Sequence, residues 1–380
     1  MSDRKPAEVF PPGEFIKEEL DARGWMQEDL AEILGRPTRL VNELIAGKRG
    51  ITPETAKGLG EAFGTSAPFW MNLESAYRLS LNVSEHEPVA RRAVLYAKAP
   101  LRAMMRRNWI ELSSNIDVLE KNVCDFFNLT HINEEPQFFS YVAKKSTKYN
   151  HLTPEQNAWL FRASHLANCI SVLAFSQTYL SNAFKQLKAL LPNEDEIRKI
   201  PKILSECGIR FLVIEPLPQS KIDGATFWMN DTPVVVLSLR YDRIDWFWYT
   251  LMHELAHVKY GDGRQNNNFT LDNDLLDAQN KPTGNRPPYE VRADRFAADF
   301  LVSQTEMDNF IARTGPLYSK NRIVGFANRI NVHPGLVVGQ LQHRDEIKYA
   351  HNREMLTKIR HIITNRALTD GWGANTLTLS

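Results

Sequence analysis

A chain of 380 residues is too long for one ordinary hydrophobic core, so two to three domains are expected. A hydrophobic share of 43% with 24% charged residues is that of a soluble globular protein and excludes a disordered chain. With 46 basic against 45 acidic residues the net charge is +1, so any nucleic-acid surface has to be local.

The three cysteines, Cys124, Cys169 and Cys207, are far apart, odd in number and lack C-x-x-C spacing. That pattern points to reduced thiols in a cytoplasm rather than a disulfide framework, each packed as a small hydrophobe. The start, Met1-Ser2-Asp3-Arg4-Lys5, leads into no apolar run, and no segment is long enough to span a bilayer. A cytoplasmic location with no membrane partner is the expectation. The expected fold is mainly α with a small β-sheet (α+β). Its expected parts are a five-helix domain at 1–80, a helical connector at 81–200, a domain with the small sheet at 201–310 and a C-terminal helical segment at 311–380.

Residues 13–80 break into five short helices. The first, about 13–23, carries Phe15, Ile16, Leu20 and Ala22 on one side and ends at Gly24. The second, about 26–34, carries Leu30, Ala31, Ile33 and Leu34 and stops at Gly35. Pro37 suits the first position of a third helix, which runs to Ile45 before Gly47. Thr52-Pro53 opens a fourth that ends near Gly64, and Ser66 starts a fifth through Trp70, Leu73 and Tyr77. Two helices joined by a tight turn, the second short and polar outside, form the helix-turn-helix plan, whose second helix enters the major groove. Thr38, Arg39 and Asn42 would face base edges, where Arg and Asn make bidentate contacts to G and A. Gln27, Arg36, Lys48 and Arg49 fall at helix ends or in the following loop, where phosphate contacts are usual. The plainer alternative is a protein-docking module with a solvated polar surface.

In Gln27–Leu34, Ala46-Gly47-Lys48-Arg49, Ile51–Ala56 and Phe69–Glu74 this stretch resembles the antitoxin branch of the Xre/Cro-type family, the HigA-like proteins. The resemblance covers most of residues 10–80. It implies a homodimer on an inverted-repeat operator in double-stranded DNA, usually for autoregulation.

From Pro88 to Pro201 the chain is mostly helical and poor in recognisable chemistry. Arg91, Arg92, Lys98, Arg102, Arg106 and Arg107 form a basic run, read either as a solvated helix face or as a second phosphate-gripping surface. Thr153-Pro154-Glu155-Gln156 is a capping box with proline at the first helical position, and the helix beyond it buries Trp159, Leu160, Phe161, Leu166 and Ile170. His131, His151 and His165 have no ligand-like spacing.

Ile209–Glu215 and Pro233–Leu239 are short apolar runs, with Ala225–Met229 between them, and read as strands of a small sheet. Asp223-Gly224 favours a tight turn between strands. An edge strand there would hold an extended peptide by main-chain hydrogen bonds.

The segment Tyr249–His257 reads as one helix carrying H-E-x-x-H. His253 and His257, four apart, point the same way and grip one metal ion together, while Glu254 sits where a general base for the attacking water is needed. A hydrolytic zinc site takes a third protein ligand and keeps its fourth position open. Glu290 is the best candidate, on a helix whose Asp294, one turn on, is spaced to accept the N–H of a ligating imidazole. The bland alternative is a buried helix with two hydrogen-bonded histidines.

Ile222–Ala225, Pro233–Ser238, the H-E-x-x-H helix and Glu290–Leu301 together resemble the ImmA/IrrE family of metallopeptidases over roughly residues 205–305. The resemblance implies a compact Zn2+ endopeptidase that cleaves helix-turn-helix repressors, with His253, His257 and Glu290 as ligands and Glu254 as base. Two positions depart from the family: Ala256 stands where members often have glycine, and Arg292 lies near where members carry a glutamate. The stretch Gly261–Pro288, rich in Asn, Asp and Gly, reads as a surface loop or a lid. Nothing in the sequence picks out a transition-state stabiliser; Tyr260, Tyr289 and His333 are the candidates. Past residue 315, Phe326–Leu341 faintly repeats Leu30–Leu44 and reads as a packing unit, since basic residues are scarce in it.

The expected whole is a transcriptional regulator whose zinc domain cleaves a helix-turn-helix repressor or the chain itself. The rival is an antitoxin-like autorepressor whose zinc domain senses a ligand or holds a toxin without cutting.

Overall fold

Glycine punctuates the first eighty residues in space as it does in sequence. Helices α1 (Pro12–Arg23), α2 (Gln27–Leu34), α3 (Thr38–Ile45), α4 (Pro53–Phe63) and α5 (Ala67–Leu81) follow one another with turns of a few residues. The structure is a computed structural model and describes residues 9–81, 87–136, 138, 152–264, 269–273 and 287–370. Gly24 and Gly35 close α1 and α2 with φ of 68° and 59°, a left-handed backbone that side chains with a Cβ resist. The third helix begins one residue later than its proline implied, because Pro37 is extended and serves as the cap. Ile16, Leu20, Leu30, Val41, Leu44, Leu59, Phe63 and Trp70 are buried together, each worth about 1.5–3 kcal/mol of burial.

Two compact units make up the chain, Met1–Arg91 and Arg92–Ser380. The second contains the stretch expected as a connector from residue 92 onward, together with the expected zinc domain and C-terminal segment; residues 81–91 fall in the first. Its sheet has the order β4-β2-β3-β1-β5, formed by β1 (Arg210–Val213), β2 (Ile222–Met229), β3 (Thr232–Leu237), β4 (Phe269–Asn273) and β5 (Leu368–Thr369). β1 runs parallel to β3 and β5, whereas β2 is antiparallel to β3 and β4.

The strands read as unbroken apolar runs because both faces of the sheet are covered. Phe211, Val213, Val235 and Leu237 point into one core, with α10 (Gln177–Leu190), α11 (Ile200–Glu206) and α12 (Ile244–Tyr260). The same core takes in α13 (Pro288–Leu301), α14 (Gln304–Thr314), α15 (Lys320–Arg329) and α16 (Pro334–His343). Leu212, Ile214, Val234 and Val236 point into the other, with residues of α6 (Glu87–Lys98), α7 (Leu101–Arg106), α8 (Ile116–Phe127) and α9 (Pro154–Asn168). Trp159 of α9 lies fully buried against that second face and donates its indole N–H to the Ile214 carbonyl at 3.1 Å. The stretch read from sequence as a connector therefore packs on both faces of the sheet, α6 to α9 on one and α10 on the other.

The turn expected at Asp223-Gly224 is not there. Both residues lie inside β2, and the reversal into β3 falls at Asn230-Asp231, with φ of 48° and 63°. Met229 pairs with Thr232 across this two-residue loop, the geometry that demands positive φ at both central positions. The repeat-like segment, α15 and α16, is a packing unit: Leu336, Val337, Val338 and Leu341 are buried in the core that contains α12. The short helix α17 (Arg360–Ile363) precedes β5. Among the described residues no helix is long and apolar enough to cross a membrane.

Candidate metal centre and nucleic-acid interface

Helix α12 is buried on nearly every side, as befits an element packed between a sheet and a layer of helices. His253, Glu254 and His257 have no solvent exposure at all. Their imidazole Nε2 atoms stand 3.0 Å apart. Helix α13 brings Glu290 Oε2 to 3.1 Å from His253 Nε2 and 3.7 Å from His257 Nε2. Ligands about 2.05 Å from a tetrahedral zinc stand roughly 3.3 Å from one another, so these three spacings fit a shared ion. A divalent cation between them would supply the positive charge that a buried carboxylate beside two imidazoles accommodates. The residues present fit the metal.

Each imidazole has a carboxylate beside its other nitrogen. His253 Nδ1 lies 3.0 Å from Asp294 Oδ1, which also accepts the Tyr249 hydroxyl at 2.9 Å. His257 Nδ1 lies 3.0 Å from Asp262 Oδ2, and the other oxygen of Asp262 accepts from Arg292 Nη2 at 2.6 Å. Asp262 reaches this position because Gly261 ends α12 in a left-handed turn, with the Asp262 N–H on the His257 carbonyl at 3.0 Å. Burial pulls the His257 pKa down, but Asp262 and Glu290 outweigh it and raise it to about 9. Burial pushes the Glu290 carboxyl up, and the two imidazoles override that and hold it well below the usual carboxylate range.

The Glu254 carboxylate is seated from the sheet. Thr226 on β2 donates its hydroxyl to Glu254 Oε2 at 2.6 Å. Two residues earlier, a Cβ on Gly224 would lie 2.5 Å from Glu254 Oε1 and 2.9 Å from Thr250 Cγ2. The strand can pass this close only because residue 224 has no side chain.

In the first unit, Arg39, Asn42, Lys48 and Arg49 are exposed on α3 and the loop after it, Arg36 is exposed before it, and Gln27 and Thr38 are half-buried. Glu43 draws two of the cations: it accepts from Arg39 Nε at 2.8 Å and lies 3.6 Å from Arg49 Nη1. The hydrogen bond from Arg39 holds the Glu43 carboxyl below its usual range. Arg36 pairs with Glu54.

Comparison with known proteins places two families on the chain. Residues 16–70 match the family described as helix-turn-helix, and residues 206–341 match the IrrE N-terminal-like domain, a peptidase family. Virulence-associated protein I of Dichelobacter nodosus is 34% identical over 79 residues, 20% of this chain and 73% of that protein. An uncharacterized HTH-type transcriptional regulator, YddM, from Escherichia coli K12 is 32% identical over 69 residues, 18% of this chain and 73% of its own length. This chain belongs to the helix-turn-helix transcriptional regulators and carries an IrrE-like peptidase domain. Among solved structures, Pseudomonas aeruginosa antitoxin HigA with higBA promoter is 35% identical, with 21% of this chain and 87% of that chain covered and a TM-score of 0.20.

In this regulator the IrrE-like match runs past α13 to residue 341, taking in α15 and most of α16. Three site residues were not anticipated from sequence: Asp262, Thr226 and Gly224. Asp262 was counted into the Asn- and Asp-rich stretch that follows it; its signal was its place directly after the helix-ending Gly261. Of the rest of that stretch, expected as a loop or lid, Phe269–Asn273 is instead strand β4 of the sheet, and 265–268 and 274–286 lie outside the described residues. Of the proposed stabilisers, the Tyr289 ring lies 6.0 Å from His257, whereas Tyr260 lies under the Arg292 guanidinium at 4.2 Å. His333 is elsewhere: it caps α16 and pairs with Glu194 at 3.2 Å. The three cysteines are free thiols, and none belongs to the ligand cluster found among the described residues.

Proposed function

We propose that this protein is a cytoplasmic transcriptional regulator whose head binds double-stranded operator DNA and whose second unit is a zinc endopeptidase acting on a protein. The observation that carries the enzymatic half is the convergence of His253, His257 and Glu290, their ligand atoms all within 4.8 Å of one another. Zinc bound there supplies Lewis-acid polarisation of a peptide carbonyl and makes water acidic enough to attack it. Asp262 holds the Nδ1 proton of His257 and Asp294 stands 3.0 Å from His253 Nδ1, which would leave both Nε2 lone pairs for the ion. Glu254, seated by Thr226, takes the proton of the attacking water and passes it to the leaving nitrogen. β4 lies at the edge of the sheet, where an extended substrate segment adds by main-chain hydrogen bonds. The substrate class is a helix-turn-helix repressor, with the chain itself as the second choice.

For the head, Thr38, Arg39 and Asn42 read bases, while Gln27, Arg36, Lys48 and Arg49 grip phosphates, in a homodimer on an inverted repeat. Arg39 exchanges Glu43 for a base edge on binding.

Incubation of wild type and Glu254→Gln with zinc and purified repressors, this chain included, tests the enzymatic half. Fragments formed only by wild type support it. Intact chains throughout, with operator binding preserved, leave an autorepressor whose zinc domain senses a ligand or holds a toxin. Arg39→Ala combined with Asn42→Ala should abolish operator preference, and an unchanged footprint would refute the base-reading assignment.

A further inference from the structure

A cavity of about 380 Å³ opens where the end of α7 meets the loop between β1 and β2. Arg106, Arg107, Lys221 and Arg240 line it, and among the described residues no acidic side chain does. Arg107 is the buried member, its side chain 6% exposed, donating to the Glu215 and Pro216 carbonyls at 2.6 and 2.8 Å. Two fully buried carboxylates stand outside the lining and steady the arginines: Asp370 is 3.7 Å from Arg107 and Asp223 is 3.8 Å from Arg240. The rest of the described lining is an apolar wall of Ala103, Pro216, Leu217 and Pro218, with the polar Gln219 beside it.

The backbone around this cavity is unusual. Among the described residues ten non-glycine positions have positive φ, and seven are the Asn and Asp that tolerate it. The other three are Gln219, Lys221 and Leu239, two lining the cavity and one preceding Arg240. Backbone strain of this kind collects at ligand clamps and persists where surrounding contacts impose it. Here those contacts are Arg107 on the Glu215 and Pro216 carbonyls and Arg360 on the Leu239 carbonyl at 2.8 Å.

We propose that this cavity binds a small organic phosphate. Its volume falls within the range of small-molecule sites, and guanidinium forks match phosphate oxygens in pairs. The absence of acids from the lining disfavours a metal cation, and the apolar wall gives the carbon body of an ester something to bury against. Lys221 leads directly into β2, whose Gly224 and Thr226 contact Glu254, so the site adjoins the strand that seats that carboxylate.

Calorimetric titration of the full chain with glucose 6-phosphate and with inorganic phosphate tests this. The ester should bind at one site per chain and more tightly than inorganic phosphate. Arg106→Gln combined with Lys221→Asn should weaken binding by about 10-fold or more; both side chains are exposed and Asn accepts the left-handed backbone at 221. Because the head also carries cations, Arg39→Gln combined with Lys48→Gln is the control and should leave the affinity unchanged. No saturable binding, binding that survives the cavity variant, an equal loss in the head variant, or equal affinity for inorganic phosphate would each overturn the proposal.

Discussion

Replacing Asp262 with asparagine tests the metal centre without any knowledge of the substrate. Its carboxylate bridges two donors: Oδ2 lies 3.0 Å from His257 Nδ1 and Oδ1 accepts from Arg292 at 2.6 Å. When His257 Nε2 faces a metal, Nδ1 carries the proton and needs an acceptor. An asparagine has one acceptor and one donor group, so it can satisfy only one of the two neighbours. Arg292 is 45% exposed and can turn to water, so the amide oxygen should stay on His257. What is lost is the charge on the acceptor. Orienting carboxylates of this kind contribute roughly 10- to 100-fold in metal affinity, or about 1.4–2.7 kcal/mol. Asp262→Asn is therefore expected near a 10-fold loss of zinc affinity, and Asp262→Ala, which removes the acceptor altogether, near 100-fold. Arg292→Gln should change affinity by less than about 3-fold, since it acts through Asp262 from an exposed position. Competition for zinc against a chromophoric chelator measures all three, with circular dichroism as the check on folding. Folded Asn and Ala variants that bind zinc like wild type would refute the assignment of Asp262 to His257.

Two other outcomes follow from close contacts. In Gly224→Ala the new Cβ starts 2.5 Å from Glu254 Oε1, so the carboxylate has to move by at least 0.5 Å to reach the 3.0 Å at which real contacts begin. If the chain is the proposed peptidase, zinc content should be unchanged while its rate of substrate cleavage falls by about 100-fold, as misplacement of a catalytic group on the order of 1 Å does; equal rates would show that Glu254 tolerates the shift. In Gly13→Ala the Cβ would lie 2.3 Å from the Ile45 carbonyl oxygen and 2.8 Å from that of Leu44, both backbone atoms at the end of α3. The head should lose about 1–3 kcal/mol in thermal unfolding, and operator affinity should fall with it; an unaltered melting transition of the head would contradict the packing of α1 on α3.

The helical head was legible because its signals are local. Gly24, Gly35, Gly47 and Gly64 end or follow helices in the left-handed conformation expected of them, and Thr52-Pro53 opens α4 as cap and first residue. Pro37 misled by one residue, since a proline serves either as the last extended residue or as the first helical one. The strand runs were legible as elements, but their turn was not. Asp-Gly is the stronger hairpin signal in isolation, yet the residue that must lack a side chain at 224 is there for Glu254 and not for a turn.

By itself, the sequence determined the helix-turn-helix head, the pairing of His253 with His257 on one helix face, and Glu254 between them, because helical periodicity sets all three. It also presented Glu290 and Asp294 on one face of a second helix. Only the tertiary structure decided that this face meets the two imidazoles, that Asp262 and Thr226 orient the site, and that the middle of the chain closes the far side of the sheet. Those contacts join residues far apart in sequence or lying just past a helix end, and they depend on how sheet and helices stack, which no local pattern encodes.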